Sequence, residues 1–352
     1  MLFFGANVIA NYWLQIPDAE MTLVALSPAI FFVAISSVMR GYFNGRQNIK
    51  ATARSQTIEQ VFKTALTIIL VEIIAVISNV STEWMAGGAT LATTLATMSG
   101  FGYLYLYYKT RSKEIAVEIK STVNYKYERV RTIIRRILVV SIPIALTAIM
   151  SSLNKNIDSF TVVRSLKQFM PEDMALSQYG ILGGKVDTLT SLPLSINVAF
   201  STALVPAISA AKARKDKKTI TEKTSFSLLT SMLIGLPCTI GMCIFAGPIL
   251  NLLFPKASDG TVILQISSLT ILFTILDQTI NGALQGYGKL KIPTISLGIG
   301  VLVKLILNLI LVPIPEIGVN GAAWASVACH AVAFTIAITA LRKNIKLFKI
   351  CN

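Results

Sequence analysis

The sequence predicts an all-α polytopic membrane protein with about ten transmembrane helices in two pseudo-symmetric lobes. Three observations carry that expectation. Of 352 residues, 53% are hydrophobic and only 14% are charged, against about 45–50% and about 25% in soluble domains. Ten apolar stretches of spanning or near-spanning length follow one another, and about 20 helical residues, each rising about 1.5 Å, cross a hydrocarbon core of about 30 Å. The loops between them alternate between rich and poor in Lys and Arg, as short loops do on the two sides of a bilayer.

Taken in order, the first stretch, 1–14, is apolar but short. It lacks the positively charged start of a signal peptide, so it reads as part of a spanning helix. The second, 22–39, runs into a basic turn with Arg40, Arg46, Lys50 and Arg54. The third, 55–78, and the fourth, 85–108, are joined by a loop whose one charge is Glu83. These four make an incomplete N-terminal lobe, 1–108. Residues 109–136 crowd nine Lys and Arg into a cytoplasmic linker; its YKYERVRTIIRR part reads either as an amphipathic surface helix or as a solvated basic loop.

A C-terminal six-helix lobe, 137–341, holds the remaining spans at 137–157, 177–204, 225–254, 262–284, 292–312 and 320–341. Basic residues return after the sixth span, from Lys212 to Lys218, and after the eighth, at Lys289 and Lys291, while the intervening loops carry no positive excess. The tail, 342–352, is basic as well. Both ends therefore read as cytoplasmic. The net charge of +15 becomes a consequence of topology, which makes anionic lipids the neighbours of these loops and nucleic acid an unnecessary partner.

Chemistry-bearing motifs are scarce. Cys238, Cys243, Cys329 and Cys351 show no C-x-x-C spacing and His330 is the single histidine, so neither a disulfide framework nor a zinc site is expected. There is no phosphate-binding glycine loop and no H-E-x-x-H helix. With non-cytoplasmic loops too short for a catalytic domain, the expectation is no cofactor and no enzyme.

The chain does contain an internal repeat. Residues 40–71 align without a gap onto 281–312 at a constant offset of 241, pairing Gly41 with Gly282, Gly45 with Gly286, Lys50 with Lys291, Ser55 with Ser296, Lys63 with Lys304 and Val71 with Val312. Both copies open an inside-to-outside helix, so the repeats are parallel, and transporters built from parallel repeats hold substrate between their halves. Alternating access follows as the expected mechanism.

Lys63 and Lys304 both fall near mid-span, where a lysine costs about 2.5–3.5 kcal/mol on insertion scales. Facing each other across a central cavity, with Asn308 beside Lys304, they would receive a phosphate or pyrophosphate. The competing reading is local neutralisation: Glu59 stands four residues before Lys63, the favourable helical spacing. Asp277, mid-helix, is the candidate for a coupling cation or proton, with pairing to a lysine as the simpler reading. Lys155, Asp158, Arg164, Lys185 and Asp187 either line an external vestibule or pair locally. His330 reads as packed, with one nitrogen satisfied.

Several stretches resemble a known family. SPAIFFVAISSVMRGYFNGRQNIKATARSQTIEQ, SIPIALTAIMSSLNKNIDSF, LPLSINVAFSTALVPAISAAKA and the pair LQGYGKLKIPT and VKLILNLILVPIPEIGVNGAAWAS are similar to polysaccharide biosynthesis proteins related to stage V sporulation protein B. These sit in the multidrug, oligosaccharidyl-lipid and polysaccharide exporter superfamily, together with the lipid II flippases. The resemblance covers almost the whole chain in order. It implies a flippase that moves an undecaprenyl-linked saccharide across the bacterial cytoplasmic membrane, with a cation-coupled drug exporter and a non-transporting fragment as the alternatives. Arg40 with Gly41, Asp158, Lys304 and Asn308 fall on family-like positions, a match that assigns no individual role; Arg40, Lys155, Arg164 and Lys185 stand with Lys63, Lys304 and Asn308 as substrate candidates, and Glu59 and Asp158 stand with Asp277 as coupling candidates. Since the family has fourteen spans, the chain is expected to represent a partial fold, from within the third span to the twelfth.

Overall fold

The computed structural model describes residues 2–8, 10, 19–46, 48–76, 82–121, 129–255 and 257–344. Among the described residues every regular element is helical. In order they are α1 (Leu2–Val8), α2 (Ala19–Gly45), α3 (Ile49–Val76), α4 (Thr82–Ser121), α5 (Val130–Leu166), α6 (Glu172–Gly180), a π-helical turn (Ile181–Val186), α7 (Asp187–Ala213), α8 (Lys217–Ile244), α9 (Ala246–Leu253), α10 (Thr261–Gly286), α11 (Lys291–Leu311) and α12 (Val319–Asn344). Through the π turn, residues 172–213 form one continuous rod, whereas the expected seventh span is broken at Phe245 into α8 and α9.

Seven of these segments are long and apolar enough to cross a membrane. The expectation was ten. α3 and α4 reach the length, but Lys50, Arg54, Glu59, Lys63 and Glu72 leave α3 no stretch of spanning length with few charges, and α4, diluted by Gly, Thr and Ser, falls short in hydropathy. Lipid contact demands that the backbone satisfy itself, and prolines 28, 143, 193, 206 and 237 accordingly sit inside helices that continue past them. At Pro143 the carbonyl accepts from both Thr147 and Thr294, each at 2.9 Å.

Turn chemistry sets the helix starts. Asp216 caps α8 by accepting from the Thr219 backbone N–H at 3.0 Å and its hydroxyl at 2.6 Å. These two bonds hold the Asp216 carboxyl below the usual carboxylate range. α10 begins after Gly260 at φ +107°, a left-handed conformation, and a Cβ there would stand 2.4 Å from Ile181 Cγ2.

The chain falls into two compact units, Met1–Tyr127 and Glu128–Asn352. The boundary between the units falls within the expected linker over 109–136, whose two ends are helical: α4 runs on to Ser121 and the VRTIIRR segment forms the first two turns of α5. A run of alternating basic and apolar residues has the helical period and simply prolongs the adjacent spans. The part from 122 to 128 lies outside the described residues, as does the tail from 345.

The two units share a three-helix motif that realises the repeat. α2 ends at Gly45 and α10 at Gly286, again 241 apart. In the first unit α4 packs on both α2 and α3, which hardly touch each other, and in the second α12 packs in the same way on α10 and α11. The second unit adds α7 and α8 against α10, and α5 against α11. Its cores centre on α10, where Leu264, Ile271, Ile275, Ile280 and Leu284 are fully buried. The first unit has a small core of Phe43, Ala51 and Leu104, packed by Tyr103 and Tyr107.

Candidate functional site

Two features of the second unit bring chemistry-bearing side chains together. The first lies between α5 and α11. Asn154, Asp158 and Thr161 occur at i, i+4 and i+7 on α5 and so share one face, and Lys304 and Asn308 share a face of α11. The Lys304 ammonium donates to Asp158 Oδ2 at 2.7 Å and to the Asn154 carbonyl at 2.8 Å. Asn308 Nδ2 donates to Asp158 Oδ1 and to Thr161 Oγ1, both at 2.9 Å. α12 closes the cluster, with Cys329 Sγ 3.4 Å from Asn154 Oδ1 and His330 Nε2 3.4 Å from Asn154 Nδ2.

Close backbone approach makes this cluster possible. One turn before Lys304, a Cβ on Gly300 would stand 2.6 Å from the Cys329 carbonyl, so α11 and α12 touch where only glycine fits.

The expectation of a cavity-facing Lys304 is therefore corrected: the residue is 3% exposed and ion-paired. Asp158, the expected coupling acid, has both of its oxygens engaged in the same cluster. Charge neutralisation inside one helical unit removes the cost that would otherwise drive Lys304 toward water.

The second feature is an open groove of 790 Å³ along α5 and the start of α11. Its wall is apolar, from Ile134, Leu138, Val139, Ile142 and Pro143, and its rim carries Arg131, Arg135 and Lys291 without an acid among the lining residues. Sequence reasoning had placed the two arginines in a linker and missed them as a site. The signal was present as R-x-x-x-R at helical spacing before an apolar run.

The remaining candidates are placed as follows. In the first unit Arg40 bridges Ser55 at 3.1 Å and Glu59 at 2.5 Å. The pairing of Glu59 with Lys63 is thereby corrected, since the planar guanidinium reaches two acceptors one turn apart on α3 at once. Arg40 and Glu59 are thus engaged with each other, while Lys63 is exposed. In the second unit Lys155 and Arg164 are exposed. Lys185 donates to the Ala257 carbonyl at 2.6 Å and lies over the Phe254 ring. Asp187 is near enough to Asp158, Lys304 and Lys155 to feel their charges. Asp277 is buried and accepts from Asn281 at 2.9 Å through Oδ2, while Oδ1 has no partner among the described residues.

Comparison with known proteins is consistent across sequence and structure. The model of the lipid II flippase MurJ family matches residues 26–350. Stage V sporulation protein B of Bacillus subtilis (strain 168) is 27% identical over 328 residues, covering 93% of this chain and 62% of the relative. Among solved structures, lipid II flippase MurJ in an inward closed conformation aligns with a TM-score of 0.60 at 17% identity, covering 92% of this chain and 63% of that one. The Vibrio cholerae MATE transporter VcmN in its bent form aligns at 0.70 with 13% identity, covering 97% and 74%. The chain thus spans about three fifths of the length of the sporulation protein it matches, and the fold is that of a multi-pass membrane transporter.

Proposed function

Because the chain belongs to the lipid II flippase MurJ family, we propose that it acts in moving an undecaprenyl-linked saccharide precursor across the bacterial cytoplasmic membrane. The observation that carries this reading is the family match over residues 26–350. Alternating exposure of two helical bodies built on one repeat is the mechanism it favours, with both chain ends in the cytoplasm, on the side of the basic loops.

The groove on α5 supports the substrate class. A lipid-linked phosphate is an apolar chain carrying a concentrated anion, and the groove offers an apolar wall below three cations. Arg131 and Arg135 supply forked donors suited to phosphate oxygens, and Lys291 adds a compact charge. Such a site takes the headgroup at the membrane surface while the isoprenoid stays against the hydrocarbon. Lys63, exposed and without a hydrogen-bond or ion-pair partner among the described residues, is the candidate phosphate contact of the first unit taken by itself. Lys304 and Asp158 act by fixing α5 on α11, beneath the groove-bearing face. Asp277 is the proposed proton or cation acceptor, because one carboxylate oxygen is left without a partner among the described residues.

The test is translocation of a fluorescent undecaprenyl-diphosphate saccharide in vesicles containing this protein, read by outer-leaflet accessibility. Transfer is expected with the unaltered chain. Loss of most of it is expected in Arg131→Glu/Arg135→Glu, with normal membrane insertion. Equal rates in the double variant would overturn the groove, and normal precursor export in cells depleted of the protein would overturn the function.

A further inference from the structure

The second unit holds another cavity, at the end away from its basic turns. It measures 510 Å³ and lies where α6, α9 and the first residues of α10 and α12 meet. Polar side chains supply most of its lining: Gln178, Asn251, Ser258, Asp259, Thr261 and Asn320. From Thr261, α10 runs 26 residues, about 39 Å, before the turn that carries Lys289 and Lys291. The cavity and the groove on α5, which includes Lys291, therefore stand at opposite ends of the unit.

Its wall is fixed from behind. Lys185 donates to the Ala257 carbonyl at 2.6 Å and lies over the Phe254 ring, which ties the chain leading into α10 to the π turn. Gly260 closes on the same turn, so tightly that a Cβ there would stand 2.4 Å from Ile181 Cγ2. A site held by such contacts needs little ordering when a ligand arrives.

What the cavity leaves unpaired defines the ligand. Asn320 Oδ1 is buried with no partner among the described residues, so it calls for a donor. The first N–H groups of α10 have no acceptor within the helix, and no side chain caps them at Gly260, so they call for acceptors. An anion is opposed by the Asp259 carboxylate, with no Lys or Arg among the described lining residues. A bare cation is opposed by the positive end of the α10 dipole, and the volume falls within the range of about 300–1,000 Å³ typical of small organic ligands. A sugar meets these demands, because it is uncharged and each hydroxyl both donates and accepts.

We infer that this cavity is a sugar-binding subsite on the outer face of the membrane, which takes the uncharged saccharide of the precursor while the groove at the other end takes its phosphate. The inference rests on the proposed export of a lipid-linked saccharide.

The probe is N-acetylglucosamine, read by saturation-transfer NMR on the full chain in a detergent without a sugar headgroup. Saturable transfer with half-saturation at millimolar sugar is expected. Asn251→Ala/Asn320→Leu should weaken it about tenfold or more through the lost hydrogen bonds, and Asn251→Ala alone, at an exposed position, should weaken it in a chain that folds normally. Arg131→Glu/Arg135→Glu should keep the sugar signal while losing translocation. An undecaprenyl-diphosphate saccharide should displace the free sugar; transfer that it does not displace would overturn the place of the cavity in export. Absence of saturable transfer, or transfer unchanged in both asparagine variants, would overturn the subsite. Translocation without sugar binding would refute the cavity alone, whereas sugar binding in a chain that translocates nothing would refute the function.

Discussion

Removing one member of the Lys304–Asp158 pair should destabilise the second unit far more than removing both. The side chains are 4% and 9% exposed and their charged atoms stand 2.7 Å apart. At an effective dielectric constant of about 20 that separation corresponds to a gross attraction of about 6 kcal/mol. Desolvation of each ion costs several kcal/mol, so the intact pair contributes little net stability against an apolar replacement. Taking away one partner leaves the other charge buried, with an expected loss of about 3–5 kcal/mol. After Lys304→Met, Asp158 keeps only Asn308 as a donor. After Asp158→Asn, Lys304 keeps only the Asn154 carbonyl and a neutral amide. The double variant Lys304→Met/Asp158→Leu should lie within about 1 kcal/mol of the parent or above it, which gives a coupling energy of several kcal/mol. The assay is a double-mutant cycle from reversible SDS unfolding in mixed micelles. Single variants costing less than about 1 kcal/mol, or singles that simply add, would refute the reasoning.

The other predictions use the same unfolding assay. Gly300→Ala places a methyl 2.6 Å from the Cys329 carbonyl and should cost about 1–3 kcal/mol by forcing α11 from α12. Gly298→Ala, two residues away with Met150 Sδ at 3.9 Å as the nearest atom, should be neutral or gain up to about 1 kcal/mol; similar losses at both positions would contradict the close approach. Arg40→Ala breaks a pair whose side chains are 19% and 18% exposed, so partial screening should hold the loss to about 1–2 kcal/mol, below that of the buried pair. A loss matching Lys304→Met would contradict that ranking.

The quantities legible in the sequence were those that run along the chain. Apolar length marks a spanning helix, loop charge marks a side of the bilayer, and a constant offset marks a repeat, so the helical class, the repeat of 40–71 in 281–312 and the family resemblance could all be read without coordinates. The helical start of α5 is of this kind too, since basic residues at helical spacing stand before its apolar run. Partner choice was different. Lys304 finds Asp158 across 146 residues, and nothing in the spacing of α11 names an acid on α5. Glu59 lies at the favourable distance from Lys63 yet binds Arg40, because the turn between α2 and α3 brings a two-pronged donor onto Ser55 and Glu59 together. The same glycine pair is buried on α10 and bare on α2. Burial and pairing depend on which helix lies opposite, and that is fixed by packing between elements distant in the chain; hydrophobic length and loop charge are properties of the strand of residues itself and survive without it.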